Sequence, residues 1–196
     1  MARQAERLEA TRGAIVAAAT DLFGRQGYAA TTMDQVASAA GVAKGAVYHH
    51  FPGKERLFET VLEAVTQQLA AEIAGRAAAA ADVWDAVAVA TEAYFALAST
   101  GAAGQIVLKD GPAVLGWERW REIDAEHFGR GIRAALEAAM DQGLIATQPI
   151  EPLARLLLGA ATEAAAACAA SPAPVETGRA EAAAFRTLLD GLRTHR

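Results

Sequence analysis

Lys44, Gly45, Ala46, Tyr48 and His49 set an ammonium, a phenol and an imidazole beside two side chains of almost no bulk. On a short helix these residues point outward together. A helix that must lie close to a polyanion has use for such a row. Gly45 and Ala46 permit close approach, Lys44 reaches base-edge acceptors such as guanine O6 and N7, and Tyr48 and His49 donate to phosphate oxygens. Lys54, with the free N–H groups that open the next helix, makes a second place for phosphate. His50 reads equally as a polar contact or as a partly buried histidine. The alternative for the whole stretch is an ordinary helical hairpin with solvated polar groups.

The elements that position this row are legible in the local pattern. A first helix over 5–26 carries Leu8, Ile15, Ala19, Leu22 and Phe23 on one face, and Gly27 stands where a left-handed C-terminal cap belongs. Thr32 followed by Gln35 predicts a capping box opening a second helix that ends at Ala40. Gly41 permits a sharp turn. A third helix over 43–50 is closed by Pro52-Gly53. Val36, Ala37, Ala40, Val42, Val47 and Phe51 are placed to close a three-helix core, the arrangement of a helix-turn-helix. A fourth helix from Lys54 to about Gly75 carries Leu57, Phe58, Val61, Leu62, Val65 and Leu69 as its stripe. Helical patterns continue over 82–99, 103–109, 112–141, 150–170 and 176–194, separated by Gly- and Pro-containing breaks. The expectation is an all-α chain of about nine helices: an N-terminal three-helix DNA-binding bundle (1–53), then a larger helical effector-binding and dimerisation part (54–196).

The segment 31–58 resembles the signature of the TetR family of regulators. The resemblance rests on Thr32, Gly41, Lys44-Gly45-Ala46-Val47-Tyr48 and Phe51-Pro52-Gly53-Lys54-Glu55-Arg56-Leu57, with Phe23-Gly24-Arg25-Gln26-Gly27-Tyr28 upstream. Ala43, Ala46 and Gly53 depart from the commoner Ser, Thr or Asn, so hydroxyl and amide contacts are fewer, and Ala46 suits a thymine methyl instead. The resemblance implies a homodimer on a palindromic double-stranded DNA operator, with Thr32 joining the DNA-facing residues. It also implies a dimer bundle from the last two long helices, a cavity for a small-molecule effector among the middle ones, and a fourth helix that swings when effector binds and releases DNA. The alternative is a constitutive or protein-regulated DNA-binding factor without such an effector.

In the C-terminal part, Trp84, Tyr94, Phe95, Trp117, Trp120, Asp124 and His127 combine aromatic walls with a few polar groups, the usual composition of a ligand pocket. Plain core, or the outer edge of a dimer, is the competing reading for each. The stretch Asp110–Asp124 resembles a segment of one subset of TetR-like regulators and implies no particular ligand. Leu153, Leu156, Leu157, Ala160, Ala161, Ala164 and Cys168 give one late helix an apolar face with small residues, and Phe185, Leu188, Leu189 and Leu192 give the last helix a matching stripe. Both suit burial between two subunits.

Composition sets the outer limits. The 196 residues are 53% hydrophobic and 21% charged, enough for a sizeable core. Net charge is −5, but residues 1–60 hold seven cations against six carboxylates, so the acidic excess lies behind the DNA-facing part. Arg3, Arg7 and Arg12 suit an N-terminal arm along a phosphate backbone. Cys168 is the single cysteine; it forms no intramolecular disulfide and reads as a small buried hydrophobe. No phosphate loop, metal-ligand spacing, nucleophile–base pair or cofactor loop is present in the pattern, which argues against an enzyme and against a metal or cofactor. No signal sequence and no unbroken run of about 18 apolar residues is visible, so the expectation is a cytoplasmic protein without membrane contact.

Overall fold

The computed structural model describes residues 2–98 and 101–194, so Ser99, the last residue of the expected 82–99 helix, lies outside it. Helix α1 (Ala2–Ala30) is followed by α2 (Met33–Ala40), α3 (Lys44–His50) and α4 (Lys54–Ala77). Residues 5–12 are helical, so Arg7 and Arg12 sit on α1 rather than on a separate arm. Arg12 lies over the Phe51 ring, 5.4 Å from its centroid.

Local chemistry explains each boundary. Gly27 breaks α1 with φ 78° and ψ 169°. The φ is positive as anticipated, but ψ is extended, a region open in practice to glycine alone. The extended ψ aims the Tyr28 N–H at Asp110 Oδ2, 2.8 Å away. The capping box forms in both directions: the Gln35 N–H donates to Thr32 Oγ1 (3.2 Å) and the Thr32 N–H to Gln35 Oε1 (2.8 Å). Gly41 closes α2 in the left-handed conformation. The starts of α3 and α4, at Ala43 and Gly53, carry no side-chain cap.

Phe23, Val36, Val47, Leu57, Phe58 and Val61 are fully buried and join the first four helices. Phe58 meets the rings of Phe23 and Tyr28 edge-on at centroid distances of 5.2 and 5.1 Å, geometries that add to simple area burial.

The rest of the chain is α5 (Val83–Ala98), the short α6 (Gly101–Ala103), a π-helical segment (Gly104–Asp110), α7 (Gly111–Leu115), α8 (Trp117–Asp141), α9 (Ile150–Ala170) and α10 (Pro174–Asp190). Two expectations are corrected here. The segment expected as ordinary helix over 103–109 is wound wider, and the helix expected over 112–141 is broken at Gly116 (φ 77°, ψ 159°). In π register the Val107 carbonyl looks to the N–H of residue 112, which is proline and has none. The Trp120 indole N–H takes that place at 2.8 Å. Trp120→Phe therefore leaves a buried carbonyl without a donor, and a loss of about 1–3 kcal/mol is expected in urea unfolding.

Pro174 opens α10 at its first turn rather than separating helices, as suits a residue without an N–H. The chain leaves helix after Asp190, and the Thr194 N–H then bonds the Leu144 carbonyl (3.0 Å). One hydrophobic core runs from Ile15 and Phe23 through Phe95, Trp120 and Ile123 to Cys168. A second gathers Leu136, Ala139, Ile145, Ala154, Leu157 and Leu189. By length and composition α9 is apolar enough to cross a membrane, which the sequence reading did not anticipate. Its Leu157, Leu158, Ala165 and Cys168 are buried within the protein.

Candidate nucleic-acid interface

Helix α3 is seven residues long and is anchored through Val47, which is fully buried. The opposite side carries Lys44, Gly45, Tyr48 and His49, all exposed, with Ala46 half-buried beside them. Tyr48 is 45% exposed. A Cβ added at Gly45 would meet nothing within 4 Å, so the approach to this face is open. His50 is half-buried, its ring 5.6 Å from that of His49.

The two lysines have different roles. The Lys44 ammonium rests on the Asp34 carboxylate, 2.7 Å from Oδ1 and 3.0 Å from Oδ2, and this hydrogen-bonded contact pushes its pKa up. Lys54 is turned inward. Its ammonium donates to the carbonyls of Tyr28 and Thr31, both at 2.9 Å, and lies 4.1 Å from the centre of the Tyr28 ring. The expected phosphate clamp is thus, in this structure, a tie between the start of α4 and the turn after α1. Lys54→Met should cost about 1.5–3 kcal/mol in unfolding free energy, because two carbonyls lose a charged donor. The Thr32 hydroxyl is engaged in its capping box.

Two sets of polar contacts tie α1 and α4 to the later helices. One is the Asp110–Tyr28 bond. The other is Arg119 on α8, whose guanidinium contacts Glu59 (2.7 Å) and Glu63 (2.8 Å) on α4. Burial acts to raise the Glu59 pKa, but the hydrogen bonds from Arg119 and Arg56 outweigh it and the net shift is downward. Gly24 permits a close crossing: a Cβ there would lie 2.6 Å from that of Ala102. Asp110 and Arg119 fall in the distinctive stretch 110–124 and Gly24 in the family-like segment 23–28, but nothing local gave them these roles, because each acts through a residue distant in the chain.

The residues expected to line a pocket do not converge on one cavity. Trp84 packs with the second core and donates its indole N–H to Asp190 (3.0 Å). Phe95 and Trp120 are core. Trp117 is 62% exposed and lines a cleft of about 560 Å³ between α8 and α9, with Arg121, Arg133 and Arg155. His127 is half-buried. Tyr94 and Asp124 do come together, in a buried polar group with Thr162 and Arg121. Asp124 accepts from Thr162 (3.2 Å) and from Arg121 (3.0 Å). Burial drives the Asp124 pKa up to about 6 against the pull of Arg121. Burial and the nearby Asp124 charge push the Tyr94 phenol far up as well. A larger open cleft of about 1070 Å³ lies between α1, α4 and the 101–110 segment, lined by none of the expected residues.

The expected dimer residues divide between two environments. Leu157, Cys168 and Leu189 are buried within the protomer, and Phe185 packs on Phe95 (6.0 Å). Leu156 and Leu188 are 68% and 48% exposed. Leu153, Ala160, Ala161, Ala164 and Leu192 are half-buried between these extremes.

A small helix held from behind, with its donor-bearing face open and a helical body beneath, defines a helix-turn-helix DNA-binding protein. The family description "Bacterial regulatory proteins, tetR family" matches residues 15–61, and "Tetracyclin repressor-like, C-terminal domain" matches residues 84–192. The chain belongs to the TetR family and is a DNA-binding transcriptional regulator, not an enzyme. It is 26% identical to the transposon Tn10 TetC protein of Escherichia coli over 156 residues, 80% of this chain and 79% of that one. It is 48% identical to the transcriptional regulator SrpR of Pseudomonas putida over 63 residues, 32% of this chain, and spans only 30% of that relative. The crystal structure of a TetR-family regulator from Pectobacterium atrosepticum superposes with a TM-score of 0.88 at 29% identity, over 97% of each chain.

Proposed function

We propose that this chain is a homodimeric repressor that reads an inverted repeat with paired α3 helices and is released by a small molecule held in its body. The observation that carries the reading is the face of α3: Lys44, Gly45, Tyr48 and His49 stand exposed, with Ala46 half-buried beside them, while Val47 fixes the helix from behind. Lys44 is assigned to base edges, Tyr48 and His49 to phosphates, and Gly45 and Ala46 to close approach. Thr32 and Lys54 support the backbone that presents them. Residues 1–53 form the DNA-reading part and 54–196 the sensing and pairing part.

For pairing, Leu156 and Leu188, with the half-buried Ala160, offer an apolar surface on α9 and α10 that a partner would cover. For sensing, the polar group of Tyr94, Asp124, Thr162 and Arg121 lies among Phe95, Phe128 and Trp120, the mixture a ligand site needs. Its route to the head is Arg119 onto α4 and Asp110 onto α1.

Selection of duplexes from a random library tests the first half. Enrichment of an inverted repeat is expected, with log affinity falling by about 0.9 per phosphate contact for each decade of salt. Loss of binding symmetry or a salt-independent affinity counts against it. A second reading, a factor without an effector, is favoured by two observations: the buried polar group is satisfied internally, and the two clefts described are open to solvent. A thermal-shift screen with small hydrophobic compounds separates the two, because a ligand at about 100 times its Kd raises stability by about 2.7 kcal/mol.

A further inference from the structure

Threonines inside these helices follow one habit. The hydroxyls of Thr11, Thr20, Thr60, Thr91, Thr162 and Thr187 each donate to the carbonyl four residues earlier. Thr66, in the middle of α4, does not. It is 1% exposed, and among the described residues its hydroxyl is the one buried side-chain polar atom with no hydrogen-bond partner. Such an atom bears the full cost of leaving water, so a fold that keeps one asks for a reason.

The place of Thr66 supplies it. Helices α4 and α8 run the same way through the body. Arg119, near the start of α8, reaches Glu59 and Glu63 near the start of α4. The far end of α8 packs with Val83, just past the far end of α4. Leu62 and Trp120 meet at Gly111, where an added Cβ would lie 2.8 Å from each. Thr66 stands one turn beyond Leu62, and Asp124 one turn beyond Trp120. Thr66 is therefore level with the polar group of Asp124, Tyr94, Thr162 and Arg121, on the helix that continues from the DNA-reading part. The rings of Phe95 and Phe128 pack edge-on against Tyr94, at centroid distances of 5.6 and 5.3 Å. The group already pairs one carboxylate with one guanidinium, so a further charge would be buried unpaired.

We propose that Thr66 is the α4 contact of the sensing site, and that its hydroxyl donates to the oxygen of a neutral, ring-bearing effector of the aryl ketone class. The inference rests on the reading that the body holds a small molecule. The effector supplies the acceptor that this hydroxyl lacks, so it ties α4 to α5 and α8 only while it is bound. An uncharged ring suits Phe95, Phe128 and Trp120. A ketone oxygen accepts without bringing a donor that would itself need a partner.

The experiment uses the full chain and two matched pairs of probes, acetophenone with ethylbenzene and benzophenone with diphenylmethane. Within each pair a carbonyl replaces a methylene. Thr66→Val keeps the side-chain shape and removes the hydroxyl. It should weaken at least one ketone about tenfold and leave the matching hydrocarbon no weaker, because the lost bond strands a buried acceptor. Without any probe it should melt higher than the wild type, because the unpaired hydroxyl is gone. Thr66→Ser, which keeps the hydroxyl, should keep the wild-type ratio of ketone to hydrocarbon affinity. Equal effects of Thr66→Val on both members of each pair overturn the proposal, as does a probe-free Thr66→Val chain that melts no higher. Hits in the thermal-shift screen with neither ketone bound overturn it too. If neither the probes nor any screened compound raises the wild-type melting temperature, the sensing reading itself falls.

Discussion

Lys44→Ala is expected to weaken binding to an enriched inverted repeat by roughly ten- to a hundredfold per half-site, the usual worth of a good base-edge contact. Two subunits on one duplex compound the loss to about 10²–10⁴-fold. The fold should be untouched, because Lys44 and the carboxylate it rests on, Asp34, are both exposed. Fluorescence anisotropy gives the affinity and circular dichroism the fold. Tyr48→Phe removes the hydroxyl that the proposed reading assigns to phosphate and should cost less, alike on every sequence, with a smaller effect on discrimination than Lys44→Ala. Unchanged affinity in both variants would remove these residues from the interface.

The second large effect is expected in the buried polar group of the body. Asp124 is 3% exposed, and its pKa is pushed from 3.8 to about 6. The folded protein therefore keeps a proton that the unfolded chain has already lost. The contribution of Asp124 is most favourable below about pH 3.8 and is lost as pH rises through about 6, by ~3 kcal/mol in all and ~1.4 kcal/mol between pH 5 and pH 7.5. Urea unfolding across that range should lose this slope in Asp124→Asn. Above pH 7 the ionised carboxylate depends on Arg121, whose side chain is 22% exposed. Arg121→Ala strands a buried charge and should cost about 3–5 kcal/mol at pH 7.5. At pH 5, where Asp124 is largely protonated, the same substitution should cost much less. Tyr94 and Thr162 face the same carboxylate, so equal costs at both pH values would show that the charge of Asp124 is not what Arg121 serves.

The DNA-reading part is largely legible in the sequence because its signals are local. Thr32 and Gln35 lie three residues apart, Gly41 supplies the turn itself, and Val47 faces the core by helical periodicity. Lys54 is different. A lysine opening a helix suggests phosphate, and only the arrival of the Tyr28 and Thr31 carbonyls from the end of α1 turns it inward. The same limit hides the π-helical segment, whose winding is completed by Trp120 from another helix.

The body is harder to read for a related reason. Apolar residues at helical spacing on α9 and α10 suit either the protomer's own core or a partner's surface, and periodicity cannot choose between adjacent positions. Leu157 and Leu189 turn inward, whereas their neighbours Leu156 and Leu188 turn outward. Aromatic residues that share a stripe on paper diverge likewise. Trp117 and Trp120 lie 5.1 Å apart by ring centroid, yet one is exposed and the other buried against the Val107 carbonyl.

The most direct test places a thiol at the tip of α3. Gly45→Cys introduces a side chain into open space, and the native Cys168 is buried. Duplexes enriched by the wild-type chain are synthesised with a thiol, held as a mixed disulfide with a small leaving thiol, tethered to one base in the major groove of each half-site, so that the introduced thiolate displaces the small thiol by exchange. Disulfide formation at both half-sites of one duplex, absent when the tether is moved to the minor groove, is the result expected of paired α3 helices. Equal reaction with either groove, or none while a thiol placed at Arg130 on α8 reacts, would contradict it.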